Sequence, residues 1–281
     1  MIAASLAFAG MGAFVKLAAN AGVPTAQIVF YRSLISMFLV YGILRWRGMP
    51  IYSPHWRAHL LRSLSGVGSL ITLFSALTLL PLATATTLNY SSPLFVALLL
   101  AVLRIRPLCS VTLAALAAGL LGIVLLLRPT VDPGHWLGIY LALGSAVMSA
   151  LSVLNMRRLG QLGEPTWRTV FYFSVFASLL TLPWYLASAP WRGIDPTGAL
   201  MVLGVAVGSL LGQVMITFAY QHAETLVTAS LGYSQVVFSS LIGFWLWQEV
   251  PAGDAWLGIP LIVASGVATM LSQKSSPQKT S

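Results

Sequence analysis

The chain has 281 residues, of which 58% are hydrophobic and only 7% charged, with a formal net charge of +9. Soluble domains carry about 25% charged residues, so a water-facing surface is excluded and a lipid bilayer is the solvent that fits. The positive excess is no nucleic-acid signature, because no basic run is interleaved with aromatics, and cytoplasmic loops of membrane proteins concentrate Lys and Arg.

A spanning helix needs roughly 20 apolar residues. Runs such as 94–103 and 113–127 lack the alternation of barrel strands. The pattern predicts an all-α membrane protein with ten transmembrane helices, over 1–19, 26–44, 60–79, 83–103, 111–127, 136–156, 169–187, 198–220, 226–247 and 256–271. Prolines at 24, 50, 54, 81, 107, 129, 133, 165, 190, 196 and 251 punctuate these runs, because proline lacks the N–H that continues a helix. Met1 opens into an apolar run without the basic start of a signal peptide, so it is read as the first span. The polar segment 274–281 is expected to be a disordered cytoplasmic tail.

In the first helix, Gly10 and Gly12 are small and Lys16 lies near the outer end as an interfacial anchor. Arg32 sits a few residues inside the second helix. It either meets an anionic substrate group or snorkels to outer headgroups and helix-end carbonyls. His55 and His59 have metal-like spacing but no acidic neighbour in sequence, with Arg57 between them. Ser65, Ser69 and Thr72 share one face of the third helix, where Gly66 and Gly68 equally suit close packing. Tyr90, Ser91 and Ser92 fall in mid-helix, as do Tyr233, Ser234 and Gln235. Groups of this kind facing lipid would lack partners, so they face the interior: a wet cavity or helix–helix hydrogen bonds. Cys109, the single cysteine, excludes an internal disulfide.

Ser145, Ser149 and Ser152 form a connected face of the sixth helix, with Asn155 near its inner end. In the eighth helix, Ser209 and Gln213 stand among apolar residues alongside Gly208 and Gly212, and a mid-membrane glutamine must find partners. His222 and Glu224 flank a short turn and either take up protons or are solvated. The expected substrate-binding set is Tyr90, Tyr233, Gln213, Gln235, Ser69, Thr72, Ser149 and Arg32. No metal site, cofactor motif, Walker A sequence or catalytic constellation is legible.

Lys and Arg placement orients the chain. With the N-terminus cytoplasmic, inner loops and tail hold Arg45, Arg47, Arg57, Arg62, Arg104, Arg106, Arg157, Arg158, Arg168, Lys274 and Lys279, while outer loops hold Arg128 and Arg192. Both termini are therefore expected in the cytoplasm.

The sequence also repeats itself. Pro24 to Ser33 reads against Pro165 to Ser174, 141 residues later, and Leu88-Asn89-Tyr90-Ser91 answers Leu231-Gly232-Tyr233-Ser234 at a shift of 143. Pro107 answers Pro251, and Gly122 answers Gly266. Each half holds five helices, and an odd number forces the second half to enter the membrane inverted. The expected units are a first repeat over 1–130, a second over 131–273, and the tail.

Several segments carry a resemblance to a known family: Phe30-Tyr31-Arg32-Ser33, the run Leu79-Leu80-Pro81-Leu82-Ala83-Thr84-Ala85, the mid-helix Pro93, and Trp247-Gln248-Glu249-Val250-Pro251. With the five-plus-five layout, the whole chain resembles the drug/metabolite transporter superfamily in its EamA branch. It departs where Arg104-Ile105-Arg106 stands opposite Glu249, and where Val236 stands opposite Pro93. The resemblance implies a secondary transporter of a small polar metabolite across the inner membrane. Alternating access would export an amino-acid-derived compound, with protons or a counter-substrate as coupling partners. Import or exchange of a cofactor-like metabolite of the riboflavin or S-adenosylmethionine type is the alternative. The carrier is expected as a monomer or homodimer in the lipid bilayer, and an intramembrane enzyme and a non-transporting membrane subunit complete the readings.

Overall fold

A computed structural model describes residues 1–105, 109–129, 134–188, 193–248, 253 and 255–274. Arg106, Pro107, Arg192, Glu249, Asp254 and the tail 275–281 lie outside the described residues. The described part is helical: α1 (Ile2–Asn20), α2 (Thr25–Trp46), α3 (Trp56–Leu77), α4 (Leu82–Asn89), α5 (Ser92–Val102), α6 (Ser110–Leu127), α7 (Trp136–Gln161), α8 (Thr166–Ala187), α9 (Pro196–His222), α10 (Thr225–Leu231), α11 (Ser234–Trp247) and α12 (Gly258–Lys274). Nine segments of the described residues, counting α4–α5 and α10–α11 as one each, are long and apolar enough to cross a bilayer, and α12 is a shorter apolar helix.

Two expectations need correction. The fourth and ninth spans are broken helices, interrupted at Tyr90-Ser91 and at Gly232-Tyr233. In the first, Pro93 cannot donate a backbone bond, and the chain restarts with that proline in the first turn of α5. The third span begins at Trp56, four residues before the expected start. Arg62, expected in a cytoplasmic loop, is therefore inside α3 and is buried.

The outer surface is apolar. Along α9, Leu203, Val207, Leu211, Met215 and Phe218 form an exposed stripe at helical spacing, the face that lipid would cover. The adjoining face carries Gly204, Gly208 and Gly212 against Phe14, Met11 and Phe8 of α1. Numbers rise along α9 as they fall along α1, so the two run antiparallel.

Corresponding helices of the two halves also pair antiparallel. The start of α2 meets the end of α8, where Phe30 stacks on Tyr185 at 4.7 Å. The end of α2 meets the start of α8, where Arg47 lies 5.5 Å from the Trp167 ring. Both helices start after a proline in the same conformation, Pro24 (φ −59°, ψ 142°) and Pro165 (φ −62°, ψ 139°), and both have 22 residues. The α6–α12 pair repeats the pattern, with Thr112 bonded to Ser272 at 2.8 Å at one end and Gly122 against the Gly258 backbone at the other. Ten spans in two oppositely oriented sets of five are the architecture expected from the sequence.

Candidate functional site

The interior holds a cavity of about 370 Å³ walled by α3, the broken spans α4–α5 and α10–α11, and helices α7, α8 and α9. Both halves contribute. Of the expected residues, Tyr90, Tyr233, Gln213, Gln235, Ser69 and Ser149 line it. Thr72 and Arg32 do not. The Thr72 hydroxyl donates back to the Gly68 carbonyl of its own helix at 2.8 Å, which satisfies it locally. Arg32 faces a separate crevice with Ser33, Ser36 and Ser209 and donates to the Ser209 hydroxyl at 3.3 Å.

The two tyrosines differ in role. Tyr233 is fully buried. Its ring covers Gly119 of α6, where a Cβ would come within 2.6 Å, and its hydroxyl donates to the Leu116 carbonyl at 3.4 Å. Tyr90 is half-buried at the mouth of the break between α4 and α5. The Ser69 and Ser145 hydroxyls lie 3.1 Å apart, joining α3 to α7, and Asn89 donates to Ser145 at 3.4 Å.

Arg62 is a cavity residue that sequence reasoning missed. It is 3% exposed, about 9 Å along α3 from its N-terminus at 1.5 Å rise per residue. One terminal nitrogen donates to Gln213 Oε1 at 3.2 Å and approaches Met156 Sδ at 3.7 Å. The guanidinium carbon sits 4.0 Å over the Phe173 ring. Gly66, one turn on, makes this pose possible, since a Cβ there would meet Nη1 at 2.5 Å, the Phe173 ring at 3.0 Å and Ser152 Oγ at 3.2 Å. Phe173 is the repeat counterpart of Arg32, so the two halves place a charge and an aromatic ring at equivalent positions.

A second polar cluster closes the end of the molecule where α2 ends and α3 begins. Glu164, in the short α7–α8 connection, accepts from Ser53 and from Arg168 Nη1 at 3.1 Å. His55 Nδ1 lies 3.4 Å and His59 Nε2 3.3 Å from its carboxylate. His59 stacks on Tyr172 at 4.4 Å. The two histidines thus do have an acidic neighbour, brought from the other half of the chain. Burial alone would raise the Glu164 pKa, but the Ser53 hydroxyl, His59 and Arg168 outweigh it and hold the carboxyl below its ordinary value. His222, by contrast, is exposed and bonds the Phe218 carbonyl of its own helix at 3.0 Å. At the opposite end Lys16 Nζ sits 4.2 Å over the Trp247 ring.

The sequence matches the model of the EamA-like transporter family over residues 1–128 and 136–271. It is 32% identical over 275 residues to the pseudopaline exporter of Pseudomonas aeruginosa, covering 97% of this chain and 95% of that protein. An S-adenosylmethionine uptake transporter of Rickettsia felis is 22% identical, over 89% of this chain and 84% of its own. A crystal structure at 22% identity superposes with a TM-score of 0.81, covering 96% of this chain and 98% of that one, which establishes the shared fold.

Proposed function

The chain belongs to the EamA-like transporter family, and from that premise we propose that it exports a small polar, amino-acid-derived metabolite across the cytoplasmic membrane by alternating access. The observation that carries this reading is the polar cavity built jointly by two oppositely oriented halves. Such halves can rock about a shared site and open it to either side. The residues proposed to contact solute are Tyr90, Gln213, Gln235, Ser69 and Ser149, with Arg32 behind Gln213 and Tyr233 holding the wall in place. We place the halves at 1–130 and 131–273 and both termini in the cytoplasm, in accord with the arginines gathered on the loops of one side. The direction follows the 32% identical relative, which is an exporter. Uptake of a cofactor-like molecule is the second reading, favoured by the S-adenosylmethionine uptake relative.

The test compares medium and cell extracts of isogenic strains with and without the carrier by mass spectrometry. Export enriches a polar metabolite in the medium of carrier-bearing cells and raises its internal level in the deleted strain. Depletion of a solute from the medium instead establishes uptake. Gln213→Ala and Tyr90→Phe, inserted at normal levels, should slow the flux; unchanged flux in both removes the cavity as the site.

A further inference from the structure

We infer that Arg62 is the anion subsite of the carrier, and that the transported solute bears a carboxylate which seats against this guanidinium. The inference rests on the carrier reading above and adds the class of solute to it.

A guanidinium taken out of water keeps its charge and needs counter-groups. Arg62 is buried, yet its Nε and Nη1 have no hydrogen-bond partner among the described residues. What it does touch is neutral: an amide oxygen, a thioether and an aromatic face. None of the described residues lining the cavity is acidic. The side chains gathered round Glu164 show the contrast. Arg168 and His59 share that carboxylate, whereas Arg62, one turn beyond His59 on the same helix, has none among the described residues.

The surroundings hold the guanidinium in place without neutralising it. Phe173 lies beneath it, Gln213 fixes one nitrogen, and Gly66 leaves the space that Nη1 occupies. The nitrogens without partners, Nε and Nη1, are the donors left for a solute carboxylate, whose oxygens accept charge-assisted bonds from a guanidinium. A solute carboxylate would supply the missing charge and bonds together, so solutes lacking one bind a site that still contains an unpaired cation. That penalty gives selectivity for acids over their amides or amines.

The experiment uses cells carrying the full-length wild type, Arg62→Gln, Arg62→Lys or Gln213→Glu, with membrane insertion and detergent melting curves for each. Spent medium and cell extracts are amidated with carbodiimide and methylamine, which tags free carboxyls, and compared by mass spectrometry with empty-vector cells. The solute moved by the wild type should carry the tag. Its flux should fall at least about tenfold in Arg62→Gln, the loss expected for a charge-assisted bond, and persist in part in Arg62→Lys.

Gln213→Glu is the decisive variant, because it places a resident carboxylate on Arg62 at nearly constant volume. It should melt no earlier than wild type and yet lose flux. A transported solute without a carboxyl overturns the inference while leaving the carrier reading intact, as does full flux in Gln213→Glu. No solute moved by the wild type overturns both.

Discussion

Glu164 is a buried carboxylate that serves Ser53, His55, His59 and Arg168. Removing it leaves the buried His59 and the partly buried Arg168 without their carboxylate partner, which costs up to about 3 kcal/mol, so Glu164→Ala should lower the melting temperature in detergent. The pH dependence has a definite sign. A carboxyl whose folded pKa lies below its ordinary value contributes fully above that value and loses the contribution as pH falls through the folded one. Melting curves of wild type and Glu164→Gln should therefore differ at neutral pH and converge only below about pH 4.5, the ordinary value of the group. Neither this cluster nor Arg62 is legible in the sequence. Glu164 and His59 are 105 positions apart (164 − 59), and one sequence carries no sign of their contact. Arg62 reads as a loop charge because apolar residues mark helix starts, while α3 begins in the polar run Trp56-Arg57-Ala58-His59. Gln213, in contrast, stands out in the sequence because a buried amide requires a partner, and the partner is Arg62.

At the scale of the element, length and apolarity suffice to find the spans, and proline marks most of their ends. The interruptions at Tyr90-Ser91 and Gly232-Tyr233 are hidden because the apolar pattern runs through both breaks; only Pro93 and Gly232 hint at them. Helix spacing is set by glycines that differ in what a side chain would meet. At Gly122 a Cβ would lie 2.7 Å from the Gly258 carbonyl oxygen and 3.0 Å from Ile262, and backbone cannot yield as a side chain does. Gly122→Ala should destabilise the α6–α12 pair by about 1–3 kcal/mol. At Gly144, in α7, an added methyl group would meet nothing within 4 Å, so Gly144→Ala should be neutral or stabilising by up to about 1 kcal/mol. Thermal unfolding of the two variants side by side reads the difference.

For the whole molecule, the internal repeat is the most legible feature, since a near-constant shift survives loop changes and an odd number of spans per half fixes the inversion. The antiparallel pairing of α2 with α8 and α6 with α12 is its physical form. Sidedness is open to a direct test through Cys109, the single cysteine, at the start of α6. The Thr112 backbone N–H and the Ser272 hydroxyl lower its thiol to a pKa of about 7. A membrane-impermeant maleimide should label it in everted vesicles and not in intact cells, with a rate that climbs as pH passes through 7. Labelling only from the outside would invert the proposed topology.

The unneutralised guanidinium of Arg62 also gives the transport cycle an electrical polarity. On the inferred seating of a carboxylate at Arg62, the empty protein would reorient with its positive charge exposed to the field, and protein loaded with a monoanion would reorient uncharged. An interior-negative voltage then draws the vacant form inward and leaves the loaded one free to discharge, with a full crossing worth about 2.3 kcal/mol per 100 mV. Expulsion of an anion seated as inferred would draw on the membrane voltage itself.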